Sequence, residues 1–333
     1  MRISEVQRIA AKLAKDSCGV ASAADLRDSE VDMRAVARLV SDGSWTWLWR
    51  GMYLCASGPV GPVVRAHAAV TYARQRQPSA HAQPQPVVSG LAGAQALGLR
   101  WVPAPERVQV LVGPEVHRRS NEHVLVRRTA DVASIQTWRW AGVAVADAAR
   151  LVVDGARECR SLRDVRGLVL GAVADGQAAP VDLLGLLDAG AVGGTAWARQ
   201  AVRDAQRGAA SPPEAELVDD LLGSGLPFYV NPEVRIHGRF VGHVDVYLVG
   251  TGVGAEIDSK ERHGQEESLD DTLVRHERAT TQGLSLVHVT PNRYRADPAA
   301  FRVRLLGAVA ERRRRGWNEP AGLELIPRGP LLR

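Results

Sequence analysis

The carboxylates Asp245, Glu256 and Asp258 fall within one stretch, Gly242–His263, GHVDVYLVGTGVGAEIDSKERH. His243–Val249 alternates polar and apolar residues and then becomes an apolar run, the pattern of a strand with one end in solvent and the other buried. Thr251-Gly252 marks a turn, and Val253–Asp258 reads as the return strand. Paired antiparallel, the two strands bring Asp245 beside Glu256 and Asp258, which share a face because residues two apart in a strand point the same way. Three carboxylates on one small surface repel at neutral pH unless a cation or a shared proton offsets the repulsion. Hard oxygen ligands with room for water suit magnesium. The chemistry indicated is metal-assisted cleavage of a phosphodiester; three solvated charges on a hairpin is the other reading of the same spacing.

The elements around these residues have a definite order. From Glu214 the chain reads helix (214–223), strand (Phe228–Ile236), strand (His243–Val249), strand (Gly254–Asp258), helix (Glu266–Gln282), strand (Ser285–Thr290) and helix (Pro298–Arg315). Arg312–Arg315 reads as a solvated helix C-terminus, favoured by the macrodipole, or as a phosphate clamp.

Asp245, a turn, then Glu256-Ile257-Asp258 with His263 five residues on resembles the PD-(D/E)XK nuclease superfamily, and within it the branch related to very-short-patch-repair (Vsr-like) endonucleases. The resemblance covers roughly residues 211–312, and the α-β-β-β-α-β order is the one that core requires. It implies Mg²⁺ or Mn²⁺ held by Asp245, Glu256 and Asp258. Glu214, in Ser211-Pro212-Pro213-Glu214-Ala215-Glu216, takes the slot of the acid from the preceding helix and would orient the metal-bound water. His263 would act as general acid or base or contact a phosphate. Lys260 offers an alternative Asp258-Ser259-Lys260 triplet, since Asp258 stands where many of these nucleases place a lysine. Two departures are Ser259, where the branch usually has glycine, and His288, near which an arginine is common.

The N-terminal fifty-odd residues have a different organisation. Ile3–Lys15, Ala23–Arg27 and Met33–Ser41 read as helices, the second capped by Ser22 and the third by Asp32. Two aromatic-rich strands follow in Trp45–Leu54, turned near Arg50-Gly51, with Trp45, Trp47 and Trp49 expected in their core. Three helices and a hairpin predict a winged helix-turn-helix with Met33–Ser41 as recognition helix and Arg34, Arg38 and Arg50 as DNA contacts. Trp45 through Arg50-Gly51-Met52-Tyr53 resembles the N-terminal domain of AbiEi-type antitoxins, regulators of type IV toxin–antitoxin systems. That resemblance implies a DNA-binding regulator, and with it the alternative that the nuclease fold is inactive.

Between these ends, residues 59–75, Val143–Gly155, Val165–Ala174 and Pro180–Ala189 read as helical, and Val108–Val112 and His123–Arg127 as strands. Val87–Leu99 resembles the segment that follows the winged helix in AbiEi-like proteins. Arg118-Arg119 and Arg127-Arg128 read as a solvated loop or as phosphate contacts. Gly193-Gly194 and Arg207–Pro213 suggest hinges.

The predicted fold class is therefore α/β and multi-domain: 1–58 winged helix-turn-helix, 59–210 mixed α/β connector, 211–318 PD-(D/E)XK-like domain and 319–333 C-terminal tail. The 333 residues carry a net charge of +5, with 45% hydrophobic and 24% charged residues, an ordinary globular balance. Residues 59–210 hold eighteen Lys/Arg against twelve Asp/Glu, residues 1–58 eight against seven, and residues 211–333 sixteen against eighteen. The basic excess thus lies in the middle, where it would help to grip phosphates. Cys18, Cys55 and Cys159 are scattered without a CxxC spacing, which argues against a zinc site or a disulfide framework. The N-terminus is amphipathic without an apolar signal-type run, and no segment approaches the ~20 apolar residues of a membrane span. A cytoplasmic endodeoxyribonuclease dependent on Mg²⁺ or Mn²⁺, with DNA as partner and no membrane association, is the expectation. Substrate sequence, any cognate toxin and oligomeric state are not legible.

Overall fold

The computed structural model describes residues 2–74, 85–130, 132–190, 193–257 and 277–333. The chain is mixed α/β and divides into two compact units: Met1–Asp164 with Gln177–Thr195, and Val165–Gly176 with Ala196–Arg333.

The first unit opens with α1 (Ile3–Leu13), β1 (Val20–Ser22), α2 (Ala23–Asp28), α3 (Met33–Ser41), β2 (Thr46–Trp49) and β3 (Met52–Leu54). The helix starts follow the sequence: Ser22 Oγ accepts from Asp25 N–H at 3.0 Å and an Asp32 carboxylate oxygen from Arg34 N–H at 2.9 Å. Val6, Ala10, Leu26, Val36, Leu39 and Trp45 form one buried core. The link at Val20–Ser22 pairs with β3, making the hairpin a three-stranded sheet of order β1-β3-β2. A register shift between Trp47 and Trp49 breaks the side-chain alternation. Trp45 and Trp49 are buried as expected, but Trp47 is 57% exposed.

The rest of that unit contains α4 (Pro62–Ala73), β4 (Val87–Ser89), α5 (Gly90–Leu97), β5 (Val108–Val112), β6 (Val124–Arg128), β7 (Thr137–Trp140), β8 (Val143–Ala146) and α6 (Ala148–Ala156). The five strands form a mixed sheet, β6-β5-β4-β8-β7. The helix expected over Val143–Gly155 is a strand followed by a helix. Val143–Ala146 is entirely buried, so its apolar run carries no period, and Asp147 caps the helix through Arg150 N–H at 3.0 Å. α7 (Leu162–Ala174) contributes residues to both units, and α8 (Pro180–Ala189) completes the first.

The second unit adds α9 (Ala196–Gln206), α10 (Pro212–Leu221), β9 (Phe228–Val230), β10 (Glu233–Ile236), β11 (Arg239–His243), β12 (Val246–Leu248), β13 (Val253–Ile257), β14 (Ser285–Val289), α11 (Pro291–Ala296), α12 (Pro298–Arg314) and β15 (Leu323–Ile326). Four strands build a mixed sheet of order β14-β13-β12-β9, in which only the β13–β14 pairing is parallel. The strand expected over Phe228–Ile236 is broken: Asn231 has φ +48° and Pro232 follows, so β9 and β10 enter different sheets. β10 joins β11 and β15 in a second sheet, to which the predicted tail supplies β15, and Leu332 also bridges Phe228. His243, expected on the strand with Val246–Leu248, belongs to that second sheet. Of the helix expected over Glu266–Gln282, only 277–282 lies among the described residues; 277–281 is helical and Gln282 is in the turn that follows. The stretch Arg207–Pro213 lies inside this unit, with Ala209 and Ser211 buried.

Candidate active site

Alternation along β12 and β13 divides the four-stranded sheet into two faces. Val246, Leu248, Val253, Ala255 and Ile257 pack with Leu217, Val218 and Leu221 of α10 and Phe301, Leu305 and Val309 of α12. Tyr247 points the other way, into a core with Val234, Ile236 and Val241 of the second sheet and with Val244, Ala279 and Leu284. The antiparallel register that pairs Val246 with Ala255 sets Asp245 opposite Glu256, and both share the Tyr247 face. They are 4% and 5% exposed. Asp245 Oδ2 accepts from Ile257 N–H at 2.7 Å, which fixes the carboxylate across the end of β13. The parallel register of β13 and β14 places His288 directly beside Glu256. Gly254, one pair further in, has no room for a side chain: a Cβ there would lie 2.6 Å from Val244 Cγ1 and 2.8 Å from Leu286 Cδ2. Tyr247, on the same face, donates to Glu319 Oε1 at 3.2 Å, and burial followed by the Glu319 charge pushes its hydroxyl pKa upward, so it remains a neutral phenol.

Glu214 is also buried, at the start of α10. Its Oε1 accepts from Ser211 Oγ at 2.6 Å, while its Oε2 accepts from Ala210 N–H at 2.9 Å and from Asn231 Nδ2. Ser211 caps the helix by accepting from Glu214 N–H at 3.4 Å while the Glu214 carboxylate reaches back to Ala210 N–H, a variant of the capping box that gives this acid a structural task. Asn231 ties this helix start to the carboxylate pair, because its own N–H donates to Asp245 C=O at 3.0 Å and its Nδ2 also reaches Gly208 C=O at 2.9 Å. In the sequence Asn231 is marked by one signal alone, Asn before Pro, a break in an apolar run.

Asp258, Lys260 and His263 lie outside the described residues. Among the described residues, no group of three or more His, Cys, Asp or Glu side chains is arranged to hold a metal. The donors that are placed, two facing carboxylates with one oxygen anchored by a backbone N–H, are of the type a hard divalent cation takes.

The basic residues sort by burial. Arg312 is buried, and its guanidinium donates to Thr251 C=O at 2.8 Å, Ser285 Oγ at 3.1 Å and Asn318 C=O at 2.7 Å, holding the β12–β13 turn rather than a phosphate. Arg314 and Arg315 both pair with Glu311. Arg128 is similarly spent on Val116 C=O, at 2.7 Å. On α3, by contrast, Arg34 and Arg38 are exposed beside exposed Ala37, while Ala35, Val36 and Leu39 face the core. Arg50, in the β2–β3 turn, is exposed and lines a cavity of about 900 Å³ with Arg27, Arg74 and Arg118.

Among the described residues, no helix is long and apolar enough to cross a membrane. No family model matches the chain, and no curated protein matches it. Among solved structures, the chain is similar to the RV2827C protein from Mycobacterium tuberculosis, at 17% identity and a TM-score of 0.37, over 60% of this chain and 75% of that one.

Proposed function

We propose that the chain is a DNA-binding phosphodiester hydrolase that uses Mg²⁺ or Mn²⁺, with its reaction centre at the end of β12 and β13. The observation that carries this reading is the buried pair of Glu256 on β13 and Asp245 just before β12, where the register continued one residue past Val246–Ala255 sets them opposite each other and Ile257 N–H holds the Asp245 carboxylate. Two like charges so placed are stabilised by a cation between them. Asp245 and Glu256 would be the metal ligands, and Asp258 keeps the ligand role that the Vsr-like resemblance implies. When bound, the metal would activate a water and neutralise charge at the phosphoryl oxygens. The chain's own groups would prepare that site: Ile257 N–H orients Asp245, Asn231 ties Asp245 to the α10 start and Glu214, and Gly254 lets the neighbouring side chains close over the sheet. His288, beside Glu256, is a further polar group for substrate or the metal's water shell. His263 keeps the role of general acid or base or phosphate contact that the Vsr-like resemblance implies, and Lys260 the alternative Asp258-Ser259-Lys260 triplet.

The three N-terminal helices and the β1-β3-β2 sheet support the reading of a winged helix-turn-helix whose α3 offers Arg34 and Arg38 to DNA. The same observation favours the second reading, an AbiEi-like regulator in which the carboxylate pair is inert. Supercoiled plasmid separates the two. Mg²⁺-dependent nicking that Glu256→Gln abolishes supports the hydrolase. DNA binding without nicking under Mg²⁺ and Mn²⁺ leaves the regulator.

A further inference from the structure

A second cavity in the first unit has a different chemistry from the carboxylate pair. It measures about 530 Å³ and is walled by Trp47 and Trp49 of β2, Trp140 at the end of β7, and His123 just before β6. Such a volume is typical of small-molecule sites. Trp49 and His123 stack, with centroids 4.8 Å apart and planes 23° from parallel, which stiffens one wall. Trp47 is held outward by the register shift in β2 and keeps a large apolar face in solvent.

The charges of this cavity are as informative as its rings. Arg65 and Arg107 both line it, and neither guanidinium has an ion-pair or hydrogen-bond partner among the described residues, although Arg107 is close enough to Glu158 to act on its charge. Glu106, the lining acid, is taken up by Arg160. The balance offered to a ligand is therefore cationic. Gln95, exposed on α5, adds an amide that both donates and accepts.

We infer that this aromatic, arginine-flanked cavity binds a nucleotide, its base stacked on Trp47 and Trp140 and its phosphate met by Arg65 and Arg107. A base supplies the flat π face that stacking requires, and the phosphate supplies the charge. Gln95 meets the edge of the base. The nucleotide is either free or part of a single strand; the chemistry is shared, and the test distinguishes the two. This inference does not rest on the hydrolase reading, since it uses no residue of the carboxylate pair.

The test is fluorescence polarisation on the full chain, in EDTA so that no cleavage contributes. The probe is a labelled twelve-nucleotide oligodeoxythymidylate, with unlabelled AMP and inorganic phosphate as competitors. Trp47→Ala should weaken probe binding about ten-fold or more, the worth of one stacked base, while Trp47→Phe keeps most of the affinity. Arg65→Ala should weaken binding and lower the salt slope by about 0.7, one single-strand phosphate. Competition by AMP with phosphate ineffective assigns a free-nucleotide site; a Trp47-dependent oligonucleotide that AMP cannot displace assigns a strand contact. The inference is overturned if the parent binds neither probe, if phosphate alone competes as well as AMP, or if Trp47→Ala and Arg65→Ala both bind as the parent does.

Discussion

At Glu256 a single charge separates the competing functional readings. The side chain is buried opposite Asp245, so replacing it with glutamine keeps the shape and removes one of two like charges. Cleavage by Glu256→Gln should fall about 10³-fold or more, as expected when a metal ligand's share of transition-state stabilisation is lost. Thermal unfolding in EDTA should at the same time move upward, because the repulsion is relieved; unchanged plasmid nicking would end the hydrolase reading. Glu158 offers a second residue-level test. Its Oε1 accepts from Leu91 N–H at 2.9 Å, and burial, the largest cause, raises its pKa from 4.5 to about 7, with the Asp154 charge acting in the same direction. The folded state holds this proton more tightly than the unfolded state does. The stabilisation is complete below pH ~4.5, is lost as pH rises toward about 7, and amounts to at most about 3 kcal/mol. Glu158→Gln should flatten that part of the stability profile and be the more stable protein at pH 8, measured as Tm against pH.

Helices test both halves of the proposal. On α3, Arg34→Ala and Arg38→Ala should each weaken duplex binding and lower the salt slope by about 0.9, without changing Tm, because both side chains are exposed. Unchanged affinity in both would move the duplex contact away from α3. α7 bears instead on stability. Arg166 is buried there and pairs with Asp204 of α9, Nε to Oδ2 at 2.9 Å, and with Asp219 of α10. Arg207 reaches Asp204 from further away, at 3.5 Å. Arg166→Met leaves a wholly buried carboxylate without its main counter-charge, and unfolding free energy should drop by about 3–5 kcal/mol in denaturant titrations. The combined variant Arg166→Met with Asp204→Leu should recover much of that loss if the ion pair, rather than packing, is responsible.

At the scale of the molecule, the second unit is not a continuous stretch of chain. It needs Val165–Gly176, whose Leu170 enters the core of the four-stranded sheet and whose Arg166 pairs with α9 and α10. A fragment of residues 211–333 should therefore fail to unfold cooperatively by circular dichroism, whereas one of residues 161–333 retains those groups and should unfold in a single transition. Local chemistry made much of the rest legible. Ser22 and Asp32 announced helix starts because a short oxygen before an apolar period has one good use. Thr251-Gly252 announced the turn between β12 and β13, and the period-two pattern announced the strands that carry Asp245 and Glu256. What sequence left undetermined were the partners. Val143–Ala146 is buried along its whole length and so has no polar side to give a period. β9 and β10 look like one strand until the chain turns at Asn231 into different sheets. Residues 319–333 acquire a strand only because β10 lies ready to pair with them. Glu214 was expected to orient a metal-bound water and Arg312 to be solvated or to clamp a phosphate, but tertiary contacts gave them Ser211 and Asn231, and Thr251 and Asn318. Sequence alone determined the turn at Thr251-Gly252, the helix starts at Ser22 and Asp32 and which residues carry charge, since those depend on near neighbours. Which charges face each other was decided only by the sheet register, which joins residues far apart in the chain and places Asp245 across from Glu256, with His288 on its other side.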